Sequence, residues 1–341
     1  MRILVIGGAG YIGAHMCKML VEHGHTVQVL DNLSTGNKES CRFGALHVGD
    51  MGDVSILHHV FSATKPEAVM HFAGKSIIAE SISDPSQYYF TNFVGTATLA
   101  DYMSQQAGLP LVFSSTAAIF GLPQSERIGE HHPCNPINPY GASKLAAERL
   151  LGDYWHAYRQ PSVTFRYFNA AGADPSGELG EDHEPETHLI PKILDSVLNL
   201  SPPICVNGTD YPTPDGTCIR DYVHVNDICR AHLLGLNHLI REPGAHVFNL
   251  GSGCGHSIRQ VLAAAEAVVG KPIVHQLGER RWGDPAILIA DAALAHKVLG
   301  WQPEGSGLEE MMETAWRWHR HKYAASAAAH KSLTTGLKVG T

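Results

Sequence analysis

The sequence predicts an α/β chain: a doubly wound parallel sheet joined to a smaller, mixed α/β lobe. Three observations carry that reading. Short apolar runs alternate with amphipathic stretches through the first half. A glycine-rich turn separates the first run from the first amphipathic stretch. Beyond residue 171 the alternation loosens, and prolines and glycines cluster over 173–185 and 209–216. Such segments commonly build loops over a ligand site. The chain has 341 residues, of which 44% are hydrophobic, so it can bury a sizeable core in two lobes.

Each element follows in order. Residues 3–6 read as a short buried strand. Residues 12–23 read as a helix, with Ile12, Met16, Met19 and Leu20 on one face. Strands are expected over 26–30, 68–72, 109–114 and 163–167, and helices over 54–62 and 140–158. Strands alternating with helices imply a parallel sheet covered on both faces. In the second half, helices are expected over 257–269 and 308–319. Residues 322–341, rich in Ala, Ser and Thr toward the end, read as a flexible tail. No internal repeat is present.

Composition excludes several classes. The formal net charge is −8, which gives no support to nucleic-acid binding. No apolar stretch is long enough to span a bilayer. The run before Gly7 is too short for the apolar core of a signal peptide. Seven scattered cysteines, none in a C-x-x-C pair, fit reduced thiols in a cytoplasmic protein. Among 22 histidines, the local pairs His58–His59, His131–His132 and His319/His321 show no zinc spacing, and no metal is expected.

The turn Gly7-Gly8-Ala9-Gly10-Tyr11-Ile12-Gly13 fits G-x-x-G-x-x-G through Gly7, Gly10 and Gly13. A Cβ there would block the tight turn and the approach of a pyrophosphate. The helix that follows would offer free N–H groups to that anion. Asp31 ends the second strand, where a carboxylate can bond an adenosine ribose and repel a 2′-phosphate. The cofactor expected is therefore NAD rather than NADP.

Tyr140-Gly141-Ala142-Ser143-Lys144 opens the long helix, and a tyrosine and a lysine four residues apart share a helix face. A neighbouring ammonium is expected to favour the phenolate and make Tyr140 a general base. Ser114-Ser115-Thr116 follows a strand expected beside the nicotinamide, where the Thr116 hydroxyl would bridge substrate and phenol.

From Met1 to about Trp301 these residues resemble the extended short-chain dehydrogenase/reductase family. The glycine turn, Phe113-Ser114-Ser115-Thr116, and Tyr140 with Lys144 are the family-wide marks. Three segments narrow the resemblance to its UDP-glucose (UDP-galactose) 4-epimerase branch: 166–173 (RYFNAAGA), 210–217 (DYPTPDGT) and 220–225 (RDYVHV). The resemblance implies a Rossmann-type NAD-binding domain over 1–170, with a returning segment near 222–250. It also implies a discontinuous UDP-sugar lobe over 171–321 and a homodimer. Tyr140, Lys144 and Thr116 would be catalytic. Gly7, Gly10, Tyr11, Ile12, Gly13, Asp31 and Asn32 would bind the cofactor, with Asp50 and Met51 at the adenine. Phe72, Ala73, Gly74, Asn92, Ser114 and Phe168 would complete that site. Thr116, Asn169, His188, Leu189, Asn207, Arg220, Arg281, Asp284 and Leu288 would hold the UDP-sugar.

Some positions depart from the family's pattern. Ser76 stands where one branch has a lysine, with Lys75 just before it. Phe120 replaces a tyrosine before Gly121. Ala117-Ala118 stands where dehydratases of the family carry Asp-Glu, which argues against dehydration. The activity implied is interconversion of UDP-glucose and UDP-galactose through a 4-keto sugar. Other substrates stay open: UDP-GlcNAc/GalNAc, depending on Leu288, and UDP-xylose/arabinose. So does a non-catalytic NAD-binding sensor.

Overall fold

The computed structural model describes residues 1–106, 108–281 and 283–336, and side chains as far as 323. In chain order the strands of the first half are β1 (Arg2–Ile6), β2 (Thr26–Asp31), β3 (Ala45–Val48), β4 (Ala68–His71), β5 (Leu111–Thr116), β6 (Arg127–Ile128) and β7 (Ser162–Tyr167). Those of the second half are β8 (Asn169–Ala171), β9 (Ile204–Asn207), β10 (Ile219–His224), β11 (Ala245–Leu250), β12 (Gly255–Ser257), β13 (His275–Gly278) and β14 (Ile287–Ala290).

Seven strands form one sheet in the order β11-β7-β5-β4-β1-β2-β3. Every pairing in it is parallel. The α/β fold class is as expected. The period-2 alternation of β1 shows why the sheet is covered on both faces. Ile3 and Val5 join Met16 and Leu20 of helix Tyr11–Glu22, and Ile228 and Leu236 of helix Val225–Arg241. Leu4 and Ile6 point the other way, to Leu57 of Val54–Thr64, Leu99 of Thr96–Ser104 and Leu151 of Pro139–Tyr158.

β3, β11 and helix Val225–Arg241 did not stand out from the sequence. β3 is a four-residue edge strand with no buried residue, so it lacks an apolar signature. β11 is reached only after the chain has left the sheet, and it returns to pair with β7 from Ala245↔Ser162 to Leu250↔Tyr167. A second difference concerns Ser114-Ser115-Thr116: these residues end β5 rather than follow it.

The smaller lobe carries a sheet in the order β12-β10-β14-β6, with β8 on β10, and a separate β9–β13 pair. Its core gathers Ile190, Ile193 and Leu194 of helix Leu189–Val197 with Val261 and Leu262 of helix Ile258–Val269. Met311 and Met312 of the last helix, Leu308–Gly336, complete it. That helix runs through residues 322–336, where a flexible tail was expected, and the remainder of that tail lies outside the described residues. Among the described residues no helix is long and apolar enough to cross a membrane. All seven cysteines are free.

Sequence order reverses at β1: β2 and β3 lie on one side, β4 and β5 on the other. Open α/β sheets bind ligands outside the carboxyl ends of strands at such a switch point. The loops leaving β1 and β4 meet there, because a Cβ on Gly7 would lie 2.4 Å from the Ala73 nitrogen.

Candidate active site

The glycine turn leaves β1 at the switch point. Gly7 has φ +80, a conformation that glycine adopts without strain. A Cβ on Gly13 would sit 2.1 Å from the Gly7 carbonyl oxygen, so the turn closes only with glycine there. Gly10 differs: a Cβ would meet nothing nearer than that same oxygen at 3.5 Å. The space over Gly10 is open toward the start of helix Tyr11–Glu22, which has no side-chain cap. Unsatisfied N–H groups at an uncapped helix start suit a pyrophosphate.

Asp31 is buried at the end of β2, accepting hydrogen bonds from the Ala9 nitrogen (2.9 Å) and the Leu33 nitrogen (2.8 Å). It is thus fixed against the glycine turn. Asn32 donates to Asp50 at 2.8 Å, and Met51 is buried one residue on. These four residues form the rim beyond β2, matching a nucleoside end. Tyr11 turns away from the rim, and its hydroxyl donates to the Gly172 carbonyl at 2.6 Å. Ile12 packs on the core beside it.

On the other side of the switch point stand Phe72, Ala73 and Gly74. A Cβ on Gly74 would press on the Asn92 Oδ1 at 2.9 Å and the Lys144 Nζ at 3.0 Å. Asn92 is fully buried. Its amide brackets the Lys75 backbone, accepting from the nitrogen at 2.8 Å and donating to the carbonyl at 3.0 Å. Lys75 itself pairs with Glu80 at 2.8 Å.

Helix Pro139–Tyr158 is set by its start. Asn138 caps it by accepting from the Gly141 nitrogen at 2.8 Å, and Pro139 takes the first turn. Gly141 lets the helix touch the turn after β5, since a Cβ would lie 2.4 Å from the Ala118 carbonyl oxygen. Tyr140 is thereby brought to Thr116 at the end of β5. Burial pushes the Tyr140 phenol above its ordinary value, and the Thr116 hydroxyl pulls it back.

Lys144, one helical turn on from Tyr140, turns toward β5. The Lys144 Nζ donates to the Ser114 carbonyl at 3.1 Å and lies 4.9 Å over the Phe113 ring. Burial brings the lysine itself down to about 8, opposed by the Glu148 carboxylate one helical turn further on. A buried cation that can release its proton near neutral pH is unusual and marks the pocket as chemically tuned.

Ser114 enters the site through its carbonyl. Its hydroxyl donates to the His232 Nε2 at 3.0 Å, because His232 Nδ1–H donates to the Ile228 carbonyl at 2.8 Å. Burial keeps that imidazole neutral by lowering it to about 4. Ser115 donates to Glu148, and Glu148 forms a buried pair with Arg166 of β7 at 2.6 Å. This pair fastens the Tyr140 helix to two sheet strands. Nothing in a linear reading singled out Glu148 or His232.

The smaller lobe supplies a second rim. Arg220 of β10 pairs with Asp284, and Leu288 of β14 stands in register with Arg220. Leu288 packs with Phe168 against Ala117, Ile119, Phe120 and Leu145, at the back of the Thr116 site. Asn207 ends β9, and the Gly208 nitrogen donates to the Gly278 carbonyl at 2.8 Å, which brings the end of β13 beside it. Arg281 is exposed there. The Asn169 amide donates to the Asp221 carbonyl at 2.8 Å. His188 starts helix Leu189–Val197 without a side-chain cap, and Leu189 is partly buried beside it.

Asp221 was also passed over. Its carboxylate accepts from the Ser252, Gly253 and Ala290 nitrogens at 2.8, 3.0 and 3.1 Å, tying β10 to its neighbours under Arg220. No metal was expected, and Glu181, His183, Glu186 and His188 group as ion pairs, His188 with Glu181 at 2.6 Å and His183 with Glu181 at 3.4 Å.

An open glycine turn at the switch point with Thr116, Tyr140 and Lys144 at its edge is the arrangement of a nucleotide-cofactor enzyme of the short-chain dehydrogenase type. The chain belongs to the NAD dependent epimerase/dehydratase family, whose model matches residues 3–251. It is 45% identical to the UDP-glucose 4-epimerase of Halalkalibacterium halodurans over 320 residues, 94% of this chain and 96% of that one. It is also similar to the UDP-glucose 4-epimerase of Brucella ovis, whose crystal structure is a complex with NAD. That match has 44% identity and a TM-score of 0.90, covering 92% of this chain and 97% of the other. A third similarity is to the UDP-glucose-4-epimerase of Stenotrophomonas maltophila, solved with bound NAD and formylated UDP-arabinopyranose. Here the identity is 35% and the TM-score 0.91, covering 95% and 99%.

Proposed function

We infer that the chain is an NAD-dependent 4-epimerase that interconverts UDP-glucose and UDP-galactose. The observation that carries this reading is the convergence of Thr116, Tyr140 and Lys144 beside the open glycine turn, on a chain similar throughout to UDP-glucose 4-epimerases. Residues 1–170 with 222–250 make the cofactor domain, and 171–321 contributes the discontinuous UDP-sugar lobe.

The residues fit the cofactor. Gly7, Gly10, Tyr11, Ile12 and Gly13 hold the pyrophosphate at the uncapped helix start. Asp31 and Asn32 take the ribose, Asp50 and Met51 the adenine. Phe72, Ala73, Gly74, Asn92, Ser114 and Phe168 line the nicotinamide end. When bound, NAD would supply the redox chemistry, as hydride acceptor and donor for sugar C4.

Tyr140 takes the proton of the sugar 4-hydroxyl, with the Thr116 hydroxyl as relay. Burial alone would keep the phenol protonated, so the base form needs positive charge in the closed pocket, and the Lys144 ammonium contributes to it. Arg220, Arg281 and Asn207 anchor the nucleotide, with His188, Leu189, Asn169 and Asp284 around the sugar and diphosphate. Guanidinium groups suit a diphosphate because each donates two hydrogen bonds at once. Anchoring falls on the nucleotide because a tightly gripped sugar could not turn over.

Sugar choice is tested by incubating the enzyme separately with UDP-galactose, UDP-N-acetylgalactosamine and UDP-arabinose and separating the epimers. UDP-galactose is expected to give UDP-glucose. Leu288 packs behind the Thr116 site, and Leu288→Tyr is expected to suppress any turnover of the N-acetylated sugar by about 10-fold or more while sparing UDP-galactose. No epimer from any of the three would remove the epimerase reading in favour of an NAD-binding sensor.

The chain acts as a homodimer. Supporting this, Tyr89, Phe90 and Val94 are exposed beside the long helix, Phe90 at 67%. Phe90→Glu is expected to yield monomers in analytical ultracentrifugation, and an unchanged sedimentation coefficient would exclude this face. Seven free cysteines, two of them exposed, support a cytoplasmic location.

A further inference from the structure

Segment 210–217 (DYPTPDGT) marks the resemblance to the epimerase branch, yet none of its side chains is among those proposed to hold substrate. It is a loop closed on itself. The Tyr211 nitrogen donates to the Gly216 carbonyl at 2.9 Å, and the Gly216 nitrogen to the Thr213 carbonyl at 3.2 Å. Asp215 accepts from the Thr217 nitrogen at 2.9 Å and from the hydroxyl of Ser257, which caps helix Ile258–Val269. The loop is thus anchored to the smaller lobe, and within it the Tyr211 side chain is buried.

Arg280 closes over Tyr211. Its guanidinium lies 4.3 Å from the ring centroid. Its Nε donates to the Asp210 carboxylate at 2.6 Å, and an Nη donates to the Asp210 carbonyl. Gly208 makes room for both partners. Its φ is +82, and a Cβ there would lie 2.5 Å from Tyr211 Cε2 and 2.6 Å from Arg280 Cγ. An exposed Asp–Arg pair alone contributes little. Here one guanidinium makes an aromatic stack, a carboxylate contact and a backbone contact together, which the planar fork of arginine permits and an ammonium does not.

The next residue is Arg281, whose side chain is exposed. Its carbonyl accepts from the Asp284 nitrogen at 3.2 Å, and Asp284 pairs with Arg220. The Arg281 backbone is therefore held on both sides, by the Arg280 stack before it and by the Asp284–Arg220 pair after it.

We propose that Asp210, Tyr211 and Arg280 form a clasp that positions Arg281 for the diphosphate of the substrate. The inference rests on the reading of Arg281 as a nucleotide anchor. Arg280 and Tyr211 are positioning residues: they fix the segment from which Arg281 projects. Without the clasp that segment must be ordered when the nucleotide binds, so the loss falls on affinity and not on the chemical step.

The test uses the NAD-loaded full chain, with UDP binding measured by calorimetry and turnover of UDP-galactose by steady-state kinetics. Arg281→Ala is expected to weaken UDP binding on the order of 10-fold or more, the loss of a charged hydrogen-bonding anchor. Arg280→Ala and Tyr211→Leu should each weaken it by about 3- to 10-fold and raise KM alike, with kcat within about 2-fold of wild type. Combined, they should cost no more than either alone, as members of one coupled unit. Tyr211→Phe keeps the ring and should bind UDP as the wild type does. Arg280→Lys keeps the charge, loses the planar stack, and should behave as Arg280→Ala. Circular dichroism and retained NAD check folding, and the exposed Arg280 position keeps the test valid should Tyr211→Leu fail to fold. Wild-type binding by Arg280→Lys, or additive losses in the double variant, would show that Arg280 acts by charge alone and overturn the clasp. So would unchanged affinity in Arg280→Ala while Arg281→Ala binds weakly. Unchanged affinity in Arg281→Ala would remove Arg281 from the nucleotide site, and the clasp's role with it.

Discussion

Tyr140→Phe is expected to lower turnover of UDP-galactose by about 10²–10⁴-fold, the usual contribution of a positioned acid–base group. The loss should fall on kcat. The hydroxyl is the only group removed, and the ring keeps its edge contact with Tyr88 at 6.3 Å. The Asn138 cap and Gly141 contact that set the helix do not involve the hydroxyl. UDP affinity, measured by calorimetry, should therefore hold, because the proposed nucleotide anchors Arg220, Arg281 and Asn207 are left unchanged. Turnover within a few-fold of wild type would show that the proton goes elsewhere.

The second large effect concerns stability. Glu148→Ala is expected to cost about 3–5 kcal/mol, read from urea unfolding of the NAD-saturated chain, because it leaves a buried guanidinium unpaired. Glu148 accepts from Arg166 Nη2 at 2.6 Å and Nε at 3.0 Å, and both side chains are almost fully buried. The milder Glu148→Gln isolates an electrostatic consequence. Burial disfavours the Lys144 ammonium, and the Glu148 carboxylate favours it. Without that charge Lys144 loses its proton at lower pH than about 8. The alkaline limb of the pH–rate profile should then move down. An alkaline limb that stays in place would show that Lys144 does not set it.

What could be read linearly depended on local pattern. β1, the glycine turn, the end of β2 at Asp31 and the Tyr140–Lys144 spacing all lie within single strands, turns or helices. Period and spacing report such features directly. The electrostatics of Tyr140 were not legible, because they depend on burial and on where Lys144 points once β5 is in place. Glu148 and Arg166, read linearly, are ordinary charged residues 18 positions apart. Only the packing of a helix on β5 and β7 makes them a buried pair. Helix Val225–Arg241 hid for another reason: buried His232 and His238 interrupt its apolar stripe. The cluster over 181–188 has close spacing, but no helix or strand period relates its members. Their convergence follows from the path of a loop held by contacts from residues 18, 37 and 322.

Inversion at sugar C4 by this site requires that the C4 hydrogen be removed and returned within one closed pocket. It is tested most directly by incubating the enzyme with UDP-galactose carrying deuterium at C4 and examining the UDP-glucose formed by mass spectrometry and NMR. The expected product is UDP-glucose that retains deuterium at C4, with no label lost to water. Unlabelled UDP-glucose, or no UDP-glucose at all from enzyme that still holds NAD, would contradict it.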